Sequence, residues 1–236
     1  MSDLKKFIKE VVKQKLSENF IGKDIIQELK SAEDVYHVFE ILENHGVKKL
    51  GVGSSRTVFR ISTNRVIKVA GGDQADIGAG LGQNETEVSV YTNPRTKNIV
   101  SKIYDYHKNY WWIISERVIP FKSPVEFQEQ TGLSSAFTRK FIETIFKTNK
   151  NGEEALKQEY EEQKQLNTLR SKNFVSNYEN AFFGSSKDFF NELSELVLNN
   201  DLIPGDIAYD HFGKTEDGRI VLFDSGYDVN VNKQYY

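Results

Sequence analysis

The chain has 236 residues, enough to bury a substantial core, with 31 Lys and Arg against 34 Asp and Glu for a net charge of −3. That near-balance draws nothing onto a phosphate backbone, so nucleic acid is not an expected partner, and no run of about 18 apolar residues marks a membrane span or a signal-peptide core. Cysteine is absent and the four histidines contain no pair at metal-ligand spacing, which excludes a disulfide framework, a thiolate nucleophile and the common zinc sites and leaves the cytoplasm as the expected location.

Leu4, Phe7, Ile8, Val11 and Val12 recur at helical spacing and predict a first helix. A second is expected from a Ser31 cap with Asp34 reaching back, an apolar face of Val35, Val38, Phe39, Ile41 and Leu42, and an end at Gly46. Residues 1–46 therefore read as a helical extension docked on the first of two lobes. Over 47–118 the texture changes to short β-branched runs broken by Gly, Asn and Asp. Strands are expected at 48–53, 57–62, 66–70, 100–106 and 111–116, with a helix near 84–91 between the third and fourth. Residues 119–236 read as mostly helical. In them 150–172 is expected to be mostly a solvated helix face, and Ser185 with Asp188 a second capping box.

Several residues carry chemistry. Gly51 and Gly53 lie between two strands, where backbone can approach a phosphate without a Cβ in the way. Lys68 sits inside the apolar strand Val66-Ile67-Lys68-Val69, where an unpaired ammonium would be costly. Glu85, at the start of the expected helix, is a carboxylate that can pair with it. Much later, Asp206 stands in a loop after Pro204-Gly205, and Asp224-Ser225-Gly226 follows the apolar run Ile220-Val221-Leu222-Phe223. One carboxylate suits a hydroxyl proton and the other a divalent cation.

In that order, the set resembles the protein-kinase-like superfamily, most closely the compact kinase-like proteins encoded by tailed bacteriophages, over roughly 50–228. The resemblance implies an α+β, two-lobed protein-kinase-like fold with a β-rich N-lobe (47–118), a mostly helical, truncated C-lobe (119–236) and the N-terminal helical extension. It implies ATP and Mg²⁺ as cofactors, with Mn²⁺ an option. Gly51, Gly53, Ser54, Ser55, Arg56 and Val58 would form the phosphate loop, Lys68 the phosphate-binding lysine, and Glu85 its helix partner. Val58 and Val66 would cover the purine, and Glu116 and Val118 would be the hinge. Asp206 would be the catalytic aspartate and Asp224 the metal ligand.

The sequence departs from that pattern in three places. Arg56 replaces the third glycine of the loop. Ala208 stands where protein kinases carry a lysine, and His211 where the family has a metal-binding asparagine, which brings His211 and Asp210 forward as metal ligands. After Gly226 the sequence runs only to Tyr236, so the resemblance leaves substrate recognition to the N-terminal helices, the 120–200 segment or another chain. Under the resemblance several functions stay open: phosphorylation of a protein Ser or Thr hydroxyl or of a small-molecule acceptor, transfer of AMP from ATP, a pseudokinase or phage-encoded host-factor-binding protein without turnover, and a structural virion component. The expected partners are ATP and a protein substrate or host protein.

Overall fold

The computed structural model describes residues 21–72, 76–148, 152–200 and 207–224. The helix expected over 4–12 lies outside them, as do Asp206, Ser225 and Gly226. Helix α1 (Lys23–Lys30) buries Leu29, and Ser31 closes it by donating its hydroxyl to the Glu28 carbonyl at 2.9 Å. Helix α2 (Val35–Asn44) begins at Asp34, whose Oδ1 accepts from the His37 N–H at 2.8 Å. The expected Ser31 cap is thus corrected. Asp34 is the extended residue three positions before a free helix donor, and Ser31 belongs to the preceding helix.

The next strands are β1 (Lys48–Val52), β2 (Arg56–Arg60) and β3 (Arg65–Ala70), followed by helix α3 (Ile77–Thr92) and by β4 (Ile103–Tyr106) and β5 (Trp112–Glu116). All pair antiparallel in the order β1-β2-β3-β5-β4. Alternation along β3 sends Ile67 and Val69 to one face, where they join Phe59, Trp112 and Ile114 in a core completed by Leu29, Val38, Ile41 and Leu42 of α1 and α2. The Trp112 indole N–H donates to the Leu29 carbonyl at 3.1 Å and pins α1 to that face.

Packing divides the chain into two units, residues 1–84 with 103–117 and residues 85–102 with 118–236. The division after Arg117 lies one residue from the lobe boundary expected at 118/119, while α1 and α2 share one core with the sheet and residues 85–102 group with the second unit.

In the second unit, β6 (Ile119–Pro120) leads into helices α4 (Pro124–Thr131), α5 (Ser135–Thr148), α6 (Gly152–Lys164), α7 (Leu169–Phe183) and α8 (Lys187–Asn200). A 3₁₀ turn (Tyr209–His211) then opens β7 (Phe212–Lys214) and β8 (Ile220–Leu222), which complete an antiparallel sheet in the order β6-β7-β8. Its core sets Phe121, Phe127, Phe137, Phe141, Phe190 and Phe212 among aliphatic side chains such as Ile99, Leu133, Ile142, Leu193 and Leu196. Ser185 does not cap α8. Its hydroxyl reaches Asn180, and the helix starts only at Lys187. Most of 153–172 is exposed, as expected, with Leu156 and Tyr160 buried, and the helix breaks before Thr168, which caps α7 by accepting the Ser171 N–H at 3.1 Å. Among the described residues no helix is long and apolar enough to cross a membrane.

Candidate functional site

The register that builds the first sheet also sorts its chemistry onto one face. Val58 pairs with Lys68, Lys68 with Ile113, and Val66 with Ser115. By alternation these five side chains point away from the face that α1 and α2 cover. Lys68 is only 6 % exposed and lies mid-strand, where an ammonium needs an anion or acceptor beside it to offset its lost hydration. Val66 and Ser115 are buried too, and Val58 is half-buried. The Ser115 hydroxyl has no hydrogen-bond partner among the described residues, an uncommon state for a buried oxygen.

The turn between β1 and β2 is held firmly. Gly53 donates its N–H to the Arg56 carbonyl at 2.8 Å, and Gly71 donates to the Ser55 carbonyl at 2.7 Å. The Ser55 hydroxyl donates to Gln83 Oε1 at 2.9 Å, and Arg56 Nη1 to Asn84 Oδ1 at 3.4 Å. Asn84 in turn donates to the carbonyl of Tyr110 at 2.8 Å, the one non-glycine described residue with positive φ (57°). Two glycines permit this clamp. A Cβ on Gly72 would fall 2.0 Å from the Gly53 carbonyl oxygen, and one on Gly80 would fall 2.3 Å from that of Ser55.

Within this turn, Gly51, Gly53 and Ser54 are exposed whereas Ser55 and Arg56 are buried. The polar side chains of Ser55 and Arg56 therefore serve the attachment of the loop to α3. What the turn offers to solvent is the Gly53–Ser54 backbone and the Ser54 hydroxyl.

On α3, Glu85 is exposed and Glu87 is 3 % exposed. Residues two apart on a helix lie about 200° around it, so only one of the two can face inward. The resemblance points to Glu85, whereas the buried carboxylate of the helix is Glu87. Glu116 is buried at the end of β5, paired in register with Arg65, and Val118 is half-buried.

In the second unit the β7–β8 hairpin brings two of the metal candidates to one end. Phe212 pairs with Leu222, and one step further the Phe223 N–H donates to the His211 carbonyl at 3.0 Å, so Asp224 emerges directly beyond that pair. His211 and Asp224 are half-buried and Asp210 is exposed. Among the described residues no three His, Asp or Glu side chains gather as a metal cage. At the other end of the hairpin the Thr215 hydroxyl and Arg219 hold the Asp217 carboxyl, Arg219 Nε at 3.3 Å, and the Thr215 bond chiefly lowers its pKa from 3.8 to about 2. That cluster closes a turn.

Gln83, Asn84, Gly72, Gly80 and Glu87 were not singled out from sequence. The available signal was the small-residue run Gly78-Ala79-Gly80 and Gly82 ahead of Gln83-Asn84, a composition that lets a helix approach backbone closely. No protein-family model matches the chain, and no curated protein or solved structure matches it.

Proposed function

We propose that this chain is an ATP-dependent phosphotransferase of protein-kinase-like fold, acting on a protein Ser or Thr hydroxyl. The observation that carries the reading is Lys68, a buried ammonium in the central strand of a five-stranded antiparallel sheet, beside Val58 and beyond a glycine turn whose exposed edge is backbone. An ammonium so placed suits a phosphate oxygen, and the exposed Ser54 N–H and hydroxyl suit another. The strand and helix order, three strands, a helix and two strands, also supports it.

In this reading Ser54, through its N–H and hydroxyl, and Lys68 bind the phosphates, Gly53 lets the backbone approach them, and Ser55 and Arg56 fix the loop. Val58 and Val66 cover the purine, Asp224 holds Mg²⁺ with His211 or Asp210 beside it, and Asp206 accepts the proton of the acceptor hydroxyl. Rate enhancement then comes from positioning and charge neutralisation.

The test is acceptor labelling from ATP carrying the label at the γ-phosphate or, in parallel, at the α-phosphate, with Mg²⁺ or Mn²⁺. Labelling from γ should fall at least about 100-fold in Asp206→Asn, while nucleotide binding by thermal shift persists. Labelling from α would move the assignment to AMP transfer. Binding without labelling under any condition would leave the nucleotide-binding reading and sink the catalytic one.

A further inference from the structure

The hairpin between β4 and β5 carries a backbone irregularity that its own turn does not explain. The His107 N–H donates to the Trp112 carbonyl at 3.0 Å and the Tyr110 N–H to the His107 carbonyl at 2.8 Å, which closes the hairpin and leaves Tyr110 in the left-handed region at φ 57°. Glycine fills such a position without steric cost, whereas the Cβ of an L residue there crowds the following carbonyl. Tyr110 is held in it from two sides. Its ring stacks on that of Tyr106, with centroids 6.0 Å and planes 9° apart, and its carbonyl accepts Asn84 Nδ2 at 2.8 Å. Asn84 is wholly buried, and its carboxamide fits in one orientation only, because a carbonyl accepts and a guanidinium donates. Nδ2 therefore meets Tyr110, and Oδ1 meets Arg56 Nη1 at 3.4 Å. With Ser55 on Gln83 at 2.9 Å, two consecutive residues at the end of the β1–β2 turn bond two consecutive residues of α3. One of those two is fixed in turn by a carbonyl 26 residues further along the chain.

We propose that Asn84 is a positioning residue for phosphate binding at the β1–β2 turn, and that the left-handed backbone of Tyr110 is the fixed point it works from. The positive φ aims the Tyr110 carbonyl, the carbonyl orients the Asn84 carboxamide, and the carboxamide, with Gln83 beside it, locates Ser55 and Arg56. The exposed Ser54 N–H and hydroxyl are thereby aimed before a ligand arrives. Such preorganisation strengthens the binding of a ligand that carries phosphates and does nothing for one without them. The identity of the ligand rests on the phosphotransferase reading; the coupling of hairpin to turn does not.

Three variants of the full chain test it, read by amide hydrogen exchange over 53–56 and by calorimetric titration with ATP and with adenosine. Asn84→Leu removes both bonds of the carboxamide. Tyr110→Val resists positive φ and leaves Asn84 and Arg56 untouched. Tyr110→Gly keeps the left-handed backbone and loses the ring. Asn84→Leu and Tyr110→Val should each speed exchange over 53–56 about tenfold and weaken ATP about tenfold, with adenosine changed less than about twofold, while Tyr110→Gly stays within about twofold of wild type throughout. Unchanged exchange over 53–56 in Tyr110→Val would overturn the coupling. So would a Tyr110→Gly that behaves like Tyr110→Val, because the ring rather than the backbone would then be what matters. Equal loss of ATP and adenosine would reduce Asn84 to a residue that keeps the fold. A wild-type chain that binds no ATP would sink the phosphotransferase reading and the phosphate role of Asn84 with it, and the exchange data would still decide the coupling.

Discussion

The two units bury different kinds of side chain. The sheet unit has an aliphatic core on one face and buries Arg56, Lys68 and Glu116, whereas Glu87 is the one charged side chain buried among the described residues of the helical unit. The helical unit adds packed rings to an aliphatic interior: Phe141 and Phe190 meet at 4.0 Å between centroids, and Tyr178 stacks at 4.3 Å on both Tyr160 and Phe182. Apolar burial stabilises without specifying chemistry, while buried charge costs stability and is retained where it positions something. The contrast puts most of the buried charge in the sheet unit and most of the buried rings in the helical unit.

The sharpest way to break that division is Phe190→Ala. Removing a ring that is 1 % exposed should cost about 3–5 kcal/mol. The chain's two tryptophans, Trp111 and Trp112, both lie in the sheet unit, so their emission reports that unit, whereas the helical signal comes mostly from the other. Under denaturant the helical signal should be lost early and tryptophan emission should hold. Coincident shifts of both would show that the two units unfold as one and would defeat the comparison.

Next in size is Gly72→Ala. The added methyl would meet the Gly53 carbonyl, which is backbone and has no rotamer to yield, so the turn must move. The expected cost is about 1–3 kcal/mol by tryptophan emission, with weakened nucleotide binding alongside. Loss of stability with unchanged nucleotide binding would separate the clamp from the proposed phosphate loop.

Glu87→Gln against Glu85→Gln tests whether burial selects the functional carboxylate of α3. Glu87 is buried, so neutralising it should cost about 1–2 kcal/mol by chemical denaturation and lower labelling from ATP. The same change at exposed Glu85 should stay within about 0.5 kcal/mol. The reverse order would restore Glu85 to the role the sequence pattern implies.

How much of this was legible beforehand depended on whether the signal was local. The strands were, because β-branched runs with turn residues between them are a period-two pattern, and so was Lys68, conspicuous as a charge inside one. The start of α3 was not. Three of its first six residues are glycines, each a poor helix former by about 1 kcal/mol, yet that smallness is what lets Gly80 lie against Ser55 and Ala70. The choice between Glu85 and Glu87 needed the helix's rotation about its axis, which the sequence does not state. Capping failed for a similar reason: Ser31 and Ser185 fit the pattern, but each hydroxyl is taken by the preceding helix.

The smallest effect concerns His107, which stacks on Trp111 at 4.2 Å and accepts the Asn109 N–H through Nδ1 at 3.2 Å. Burial, and secondarily Lys108, lowers its pKa from 6.5. A depressed folded value means that the unfolded chain binds the proton more readily, so this contribution to stability is present above pH 6.5 and is lost as pH falls toward the folded value. The same protonation removes the Nδ1 acceptor, so both effects act in one direction. The tryptophan-reported denaturation midpoint should fall on acidification below about pH 6.5, and His107→Phe, which keeps the stacked ring and removes the proton site, should flatten that part of the profile. An equal slope in the variant would place the titrating group elsewhere. A slope in the helical signal as large as in the tryptophan signal would again erase the distinction between the two units, this time through a single proton.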